Sequence, residues 1–223
     1  MIPLNKIRQR IFDAASRTPR KAGGITLIAV SKGQSTEKIR EGLHAGQKHF
    51  GENYAQELLA KAEELPREKI IWHFLGHLQK NKIAKIVPHI QYLHSLDSWE
   101  LALAIDQKVL KPLQCLLEIN FGGEKTKTGM DPKQAMALIP RLNTLEHIDL
   151  CGLMTIPPPA NNPEDSRPFF KKLFILLKEI NTGYHYRKPL IELSMGMSDD
   201  FEVAIEEGAT MIRVGRAIFG ERT

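Results

Sequence analysis

The first candidate for a chemically reactive side chain is a lysine, Lys32. Lys32 follows the apolar run 27–30 and the single serine Ser31, in the stretch LIAVSK. A lysine held among packed apolar neighbours loses hydration, which favours its neutral amine and makes it a nucleophile toward carbonyl carbons. Taken alone, Lys32 also fits an ordinary lysine at the end of a strand. Its chemistry therefore depends on which groups the fold brings close to it.

Two segments near the end of the chain contain residues that are typical of phosphate binding. They are 194–200 (SMGMSDD) and 214–220 (VGRAIFG). Gly196 and Gly215 would let the backbone approach an anion closely, and Ser194 supplies a hydroxyl donor, although the glycines also fit tight turns. A carbonyl-reactive lysine together with a phosphate site indicates pyridoxal 5'-phosphate (PLP), because its aldehyde and phosphate lie at opposite ends of one ring.

Short apolar runs alternate with longer amphipathic segments along the chain. The apolar runs predict eight strands, over 25–31, 48–52, 70–76, 92–97, 113–120, 148–156, 190–196 and 210–215. The amphipathic segments predict helices over 3–16, 35–46, 54–65, 78–87, 98–109, 131–144, 164–181 and 199–207.

This alternation predicts an α/β protein with a parallel sheet. The number of strands favours a single (β/α)8 barrel of the TIM type over an open doubly wound sheet. The extra N-terminal helix would cover the bottom of the barrel or pack on its side. Because no linker or repeat interrupts the pattern, we predict one domain over residues 1–223. Chemistry in such barrels collects at the C-terminal ends of the strands, which is where Lys32 and the two glycine segments would meet.

Composition argues against several other classes of function. The net charge is +5, but 31 basic residues are scattered among 26 acidic ones, so no nucleic-acid surface is predicted. No apolar run reaches the roughly 18 residues of a membrane span, and the N-terminus is charged every few positions, which predicts a cytoplasmic protein without membrane contact. Cys115 and Cys151 lie in apolar runs without CxxC spacing and are predicted to be reduced and buried.

Two further patterns carry weaker signals. His73 and His77 are four residues apart, but Gly76 and the strand-like run before it argue against a helix, so no metal site is predicted. The segment 122–129 (GGEKTKTG) lacks the order of a phosphate loop. It predicts a mobile loop after the fifth strand, in which Lys125 and Lys127 are by default solvated, the alternative being that one of them holds cofactor in transit.

At the residues expected near Lys32, the sequence resembles a known family. The segments AVSK (29–32), HFGENYAQE (49–57), WHFLGHLQKNK (72–82), GLMTIPP (152–158) and 193–220 are similar, in this order, to motifs of the YggS/PROSC family of pyridoxal phosphate homeostasis proteins. The resemblance covers about residues 25 to 222. It implies a barrel similar to the N-terminal domain of alanine racemase that holds PLP as a lysine Schiff base and acts in intracellular PLP homeostasis and amino-acid balance.

Carried over position by position, the resemblance implies cofactor-binding roles for ten residues and a catalytic role for none. Lys32 is the Schiff-base lysine, and Arg213 faces the pyridine nitrogen. The others are implied to line the pocket or to contact the phosphate: Asn53, His73, Gly76, Met154, Ser194, Gly196, Gly215 and Arg216. Arg216 departs from the family, which commonly has a small hydroxyl residue after that glycine.

The expected function is a carrier of PLP that is not an enzyme. A permanently charged Arg213 opposes protonation of the pyridine nitrogen and weakens the ring as an electron sink. The second domain that brings a tyrosine base in racemases is not expected here, because the sequence ends at Thr223, just beyond the eighth predicted strand. The expected partners are PLP and PLP-dependent apoenzymes, and a monomer is expected. The alternatives are a PLP-dependent racemase or transaminase of low activity, an aldolase that uses Lys32 directly, and an interaction module working through the basic segment 78–86.

Overall fold

The eight predicted strands are present and close into one barrel. A computed structural model describes residues 3–19, 21–66, 68–122, 128–183 and 186–220. The strands are β1 Thr26–Val30, β2 His49–Glu52, β3 Ile71–Phe74, β4 Tyr92–Leu96, β5 Leu113–Glu118, β6 Ile148–Met154, β7 Glu192–Ser194 and β8 Met211–Val214. Each strand pairs in parallel with the next, and β8 pairs with β1. The predicted (β/α)8 barrel is therefore confirmed, and the open sheet is wrong.

Helices cover the outside of the barrel, as the amphipathic segments predict. They are α1 Leu4–Ser16, α2 Thr36–His44, α3 Ala55–Glu64, α4 Ile83–Ile86, α5 Trp99–Asp106, α6 Pro132–Leu142, α7 Arg167–Gly183, α8 Phe201–Glu206 and α9 Arg216–Phe219. The extra helix α1 packs on the side of the barrel against α8. Ion pairs from Arg10 to Glu202 (2.6 Å) and from Arg17 to Glu206 (2.7 Å) join the two helices.

Several helices are shorter than the sequence predicts, and for α4 and α8 the cause is visible. The segment 78–87 contains only the one-turn helix α4, followed by a 3-10 turn over Val87–His89 that includes Pro88. The segment 199–207 becomes helical only at Phe201. The Asp200 carboxylate accepts a hydrogen bond from the Met197 N–H (2.7 Å), which holds the preceding residues in a turn.

The apolar core has two parts. The larger part fills the space between the barrel and its helices. A smaller cluster lies apart from it and consists of Ile28, Leu116, Cys151, Met154 and Met211. Cys115 and Cys151 are both free and buried, as predicted. Across the described ranges, no helix combines the length and the apolar character needed to span a bilayer.

Candidate functional site

A cavity of about 450 Å³ opens at the C-terminal end of the barrel. This volume is in the usual range for small-molecule sites. Six of the ten sequence-predicted residues line it: Lys32, Asn53, Met154, Arg213, Gly215 and Arg216. The other lining residues are Val30, Gln34, Leu75, Ile156, Met197, Ser198, Asp199 and Gly220.

Lys32 enters the cavity from the end of β1. The residue before it is fixed twice, because the Ser31 N–H donates to the Gly51 carbonyl (3.0 Å) and the Ser31 hydroxyl donates to Glu52 (2.6 Å). On its other side β1 pairs with β8, and Gly215 lies against the Val30 carbonyl, where an added Cβ would approach to 3.2 Å. Pairing of β1 with β8 therefore brings the half-buried Lys32 beside the turn after β8.

A second lysine, which sequence reasoning missed, is buried beneath Ser31. The Lys61 Nζ donates to the Ser31 carbonyl (2.6 Å), Glu52 (2.7 Å) and Glu57 (2.6 Å). Burial raises the pKa of Glu52, although Lys61 opposes that shift. One signal was available in the sequence, since Glu57 and Lys61 are four residues apart on a predicted helix. This network supports the strand ends from which Lys32 projects.

Asn53 follows β2 and is held against the loop after β3. A Cβ at Gly76 would lie 2.0 Å from the Asn53 carbonyl oxygen, so only glycine allows this contact. The Asn53 Oδ1 atom is buried and accepts no hydrogen bond from the described residues. A buried acceptor without a donor is costly, and here it belongs to a residue that lines the cavity. A donor on a bound ligand would satisfy it.

Arg213 puts a buried positive charge at the cavity. Its side chain donates to the Ser194 hydroxyl (2.6 Å) and to the Thr155 carbonyl (2.9 Å). Burial lowers the pKa of the guanidinium to about 10, which still leaves it charged at neutral pH. The charge is available to an electron-rich atom of a ligand.

Four predicted residues do not line the cavity. His73 and Ser194 are fully buried below it in the barrel, and Gly76 holds Asn53. Gly196 has a φ of +91°, and an added Cβ would lie 2.5 Å from the Ala204 side chain. Glycine is thus required there by its backbone conformation and by the packing of α8, which agrees with the tight-turn alternative that the sequence left open.

Arg216 lies at the cavity edge, where it joins the loops after β7 and β8. Its NH2 group donates to both carboxylate oxygens of Asp199, each at 2.5 Å. Both side chains are exposed. The Ser198 hydroxyl accepts from the Ala217 N–H at 3.3 Å, so these two loops are connected twice.

Two remaining sequence predictions concern metals and the loop after β5. In the part of the chain that the structure describes, no group of three or more His, Cys, Asp or Glu side chains could hold a metal ion. Lys125 and Lys127 lie outside the described residues.

Comparison with known proteins agrees with the geometry. The family model for the alanine racemase N-terminal domain matches residues 2–223. The pyridoxal phosphate homeostasis protein of Aquifex aeolicus is 43% identical over 222 residues, which cover 98% of this chain and 96% of that protein. The protein of the same name from Pseudomonas aeruginosa is 40% identical over 220 residues, covering 97% and 93%.

The fold is also similar to that of a solved structure. PipY of Synechococcus elongatus, with PLP bound, has a TM-score of 0.83 and 37% identity, covering 96% of this chain and all of that one. The resemblance inferred from the sequence is thereby confirmed. The chain belongs to the alanine racemase N-terminal domain family and, within it, to the pyridoxal phosphate homeostasis proteins.

Proposed function

We propose that this protein binds PLP in the cavity as a Schiff base with Lys32 and carries it in intracellular PLP homeostasis without catalysing a reaction. One observation carries the proposal. Lys32, the unsatisfied Asn53 Oδ1 and the buried charge of Arg213 meet in one cavity of about 450 Å³. The PLP-bound structure of the relative PipY supports it.

The lining residues fit the functional groups of PLP. When bound, PLP would supply an aldehyde, and Lys32 would hold it by condensation of its amine with that aldehyde and loss of water. Arg213 would donate to the pyridine nitrogen, and Asn53 would accept from a donor of the ligand. Gly215 and Arg216, at the turn after β8, would hold the phosphate.

The absence of catalysis is also part of the proposal. Apart from the two arginines, Lys32 and Asp199 are the ionisable side chains among the described lining residues, and Asp199 is paired with Arg216. Proton transfer at an amino-acid carbon needs an acid and a base on defined faces. The charged Arg213 also disfavours protonation of the pyridine nitrogen, which a strong electron sink requires.

Borohydride reduction tests the binding mode. The yellow protein should bleach, and peptide mass spectrometry should find the pyridoxyl adduct on Lys32. Lys32→Ala should lose the adduct. Lys38→Ala is the matched control, because the Lys38 Nζ bonds to Gln34 (2.7 Å) without lining the cavity, and it should keep the adduct. An adduct on another lysine would refute the assignment.

A second assay tests the carrier role. The loaded protein is incubated with L-alanine and with pyruvate plus an amino donor, and racemisation and transamination are followed by chiral chromatography. We expect neither product. Turnover that depends on Lys32 would favour the enzyme alternative.

The proposal extends to a cytoplasmic monomer that delivers PLP to apoenzymes. Recovery of activity in an added apoenzyme would measure that delivery.

A further inference from the structure

A chain of hydrogen bonds crosses the barrel interior and ends at Arg213. His49 Nδ1 lies 2.9 Å from His73 Nε2, and His73 Nδ1 lies 2.8 Å from His94 Nε2. His94 Nδ1 lies 2.8 Å from the Ser194 hydroxyl oxygen, which also accepts from Arg213 at 2.6 Å. We call His49, His73, His94 and Ser194 the histidine relay.

The two central histidines are neutral. His73 and His94 are both fully buried. Burial is the main cause that holds the pKa values of both rings well below the usual range. His49 adds to the shift of His73, and His73 and Arg213 add to the shift of His94. A neutral imidazole has one donor and one acceptor nitrogen, so the tautomer of each ring is tied to that of its neighbours. The Tyr92 ring stacks on His73, with centroids 4.6 Å apart, and limits its rotation.

The relay can therefore adopt two hydrogen-bonding directions. In the first, the Ser194 hydroxyl donates to His94, His94 donates to His73, and His73 donates to His49 Nδ1. In the second, all three bonds are reversed, and Ser194 accepts from both His94 and Arg213. The first direction uses the Ser194 hydroxyl hydrogen within the relay. The second direction leaves that hydrogen outside the relay.

His49 is the end of the relay that solvent can reach. It is half-buried and lines a second cavity, of about 820 Å³, at the opposite end of the barrel. Ile71, Tyr92 and Leu113, the first residues of three strands, line the same cavity. The cavity is thus at the N-terminal end of the barrel, away from the candidate PLP site.

The charges around His49 favour its neutral form at neutral pH. Burial lowers its pKa, and the charge of Lys48 contributes. Lys108 and Lys111 line the second cavity, and no carboxylate is among its described lining residues. At the other end of the relay, Asp200 and Glu118 interact with Arg213. His49 is therefore the group of the relay that protonates first as the solution becomes acidic.

We propose that the histidine relay couples protonation of His49 at the N-terminal end of the barrel to the hydrogen bonds of Arg213 in the candidate PLP site. A protonated His49 carries a hydrogen on Nδ1 and cannot accept from His73. The relay must then adopt its second direction, which leaves the Ser194 hydroxyl accepting twice. The reversed ring dipoles point their positive ends toward Arg213 and favour an electron-rich ligand atom there. The histidines are positioning residues, because they act on the ligand through Arg213.

The tautomers give a direct test that needs no ligand. The protein is labelled with 15N-histidine, and the ring nitrogen shifts are recorded from about pH 8 to about pH 5. The charge of Arg213 repels the positive ends of the ring dipoles and favours the first direction while His49 is neutral. We therefore expect His73 and His94 to carry hydrogen on Nε2 at high pH and on Nδ1 at low pH while they remain neutral. The pH midpoint of this change of tautomer should equal the midpoint of the His49 titration. Fixed tautomers through the titration of His49 would overturn the proposal.

Two variants separate the relay from structural effects. In His49→Gln the amide can accept from His73 but does not titrate, so His73 and His94 should keep one tautomer at every pH. His89→Gln is the matched control, since His89 is exposed in the turn Val87–His89, outside the relay. In His89→Gln, the tautomers of His73 and His94 should change with pH as they do in the wild-type protein. A switch that persists in His49→Gln would contradict the coupling.

A third measurement reads the effect at the ligand and rests on the proposed function. PLP affinity is measured for the wild-type protein and for His49→Gln at both ends of the pH range, so that pH effects shared by the two proteins cancel. The affinity of the wild-type protein relative to the variant should rise about fivefold on acidification. A constant ratio would refute the coupling to the site. Failure to bind PLP would refute only the proposed function, because the tautomer experiment would still stand.

Discussion

Gly76 and Asn53 are in direct backbone contact, although they belong to loops after different strands. A methyl group at position 76 would lie 2.0 Å from the Asn53 carbonyl oxygen and 2.9 Å from its carbonyl carbon. The carbonyl oxygen of Gly76 also accepts a hydrogen bond from the Ser95 hydroxyl at 2.6 Å, so the loop cannot easily move away. The position of Asn53 at the cavity therefore depends on a residue without a side chain.

Gly76→Ala should displace Asn53 from the cavity. The overlap should lower the free energy of unfolding by about 1–3 kcal/mol, as overpacking does. Loss of the Asn53 contact should weaken PLP binding about tenfold. Urea denaturation and PLP titration measure the two effects. Gly23→Ala is the control, because no atom lies within 4 Å of the added methyl, and it should leave affinity unchanged. Unaltered PLP affinity in Gly76→Ala would contradict this role.

Asp199 should compete with the ligand phosphate for Arg216. The two side chains pair at 2.5 Å at the edge of the cavity, and exposed ion pairs are weak enough to exchange. Asp199→Asn should therefore bind PLP about threefold more tightly. Arg216→Ser should weaken PLP binding and leave the affinity for pyridoxal, which lacks the phosphate, unchanged. Equilibrium titration with both ligands gives the comparison, and an equal loss for both would show that Arg216 does not contact the phosphate.

Lys61→Met should be strongly destabilising, because it leaves the buried Glu52 carboxylate without its positively charged partner. The expected loss is about 3–5 kcal/mol near neutral pH. Burial raises the pKa of Glu52 in the folded state above its unfolded value. Stability of the variant is therefore highest below the unfolded pKa and falls as the pH rises through the folded pKa. Urea denaturation over a pH series measures this decline.

The double variant Lys61→Met with Glu52→Gln controls this experiment. Its neutral amide removes the titrating group, so the added dependence on pH should disappear. A loss of stability in Lys61→Met that is equal at every pH would show that the Glu52 charge is not the cause.

The two cysteines should be unreactive in the folded protein. Burial raises the pKa of Cys151 to about 12 and that of Cys115 well above the usual range. The thiolate is the reactive form, and both side chains are also shielded from reagents. An aromatic disulfide reagent should detect no thiol in the native protein and two after denaturation. Rapid labelling of the native protein would contradict the buried state.

The sequence predicted the architecture well because the barrel depends on local patterns. Eight apolar runs separated by amphipathic segments are sufficient to predict alternating strands and helices, and all eight strands are present. Lys32 and Arg213 could be placed near one site because both lie at strand ends. The boundaries of α4 and α8 were wrong, since these depend on a proline turn and on a side-chain hydrogen bond.

The histidine relay could not be predicted in the same way. His49, His73 and His94 lie on three successive strands and are separated by 24 and 21 residues. Their contact depends on the register of β2, β3 and β4, in which His49 is opposite Ile71 and His73 is opposite Tyr92. A shift of one residue would turn the rings away from each other. Sequence spacing alone does not determine that register.

The pairing of β1 with β8 has a consequence for biosynthesis. Lys32 is translated early, and the Gly215 turn that lies beside it is translated after almost all of the barrel. A nascent chain on the ribosome therefore has the amine long before it has the opposite wall of the cavity. Under the proposed function, PLP would bind only after the barrel has closed, so a newly made protein would take up its ligand after folding.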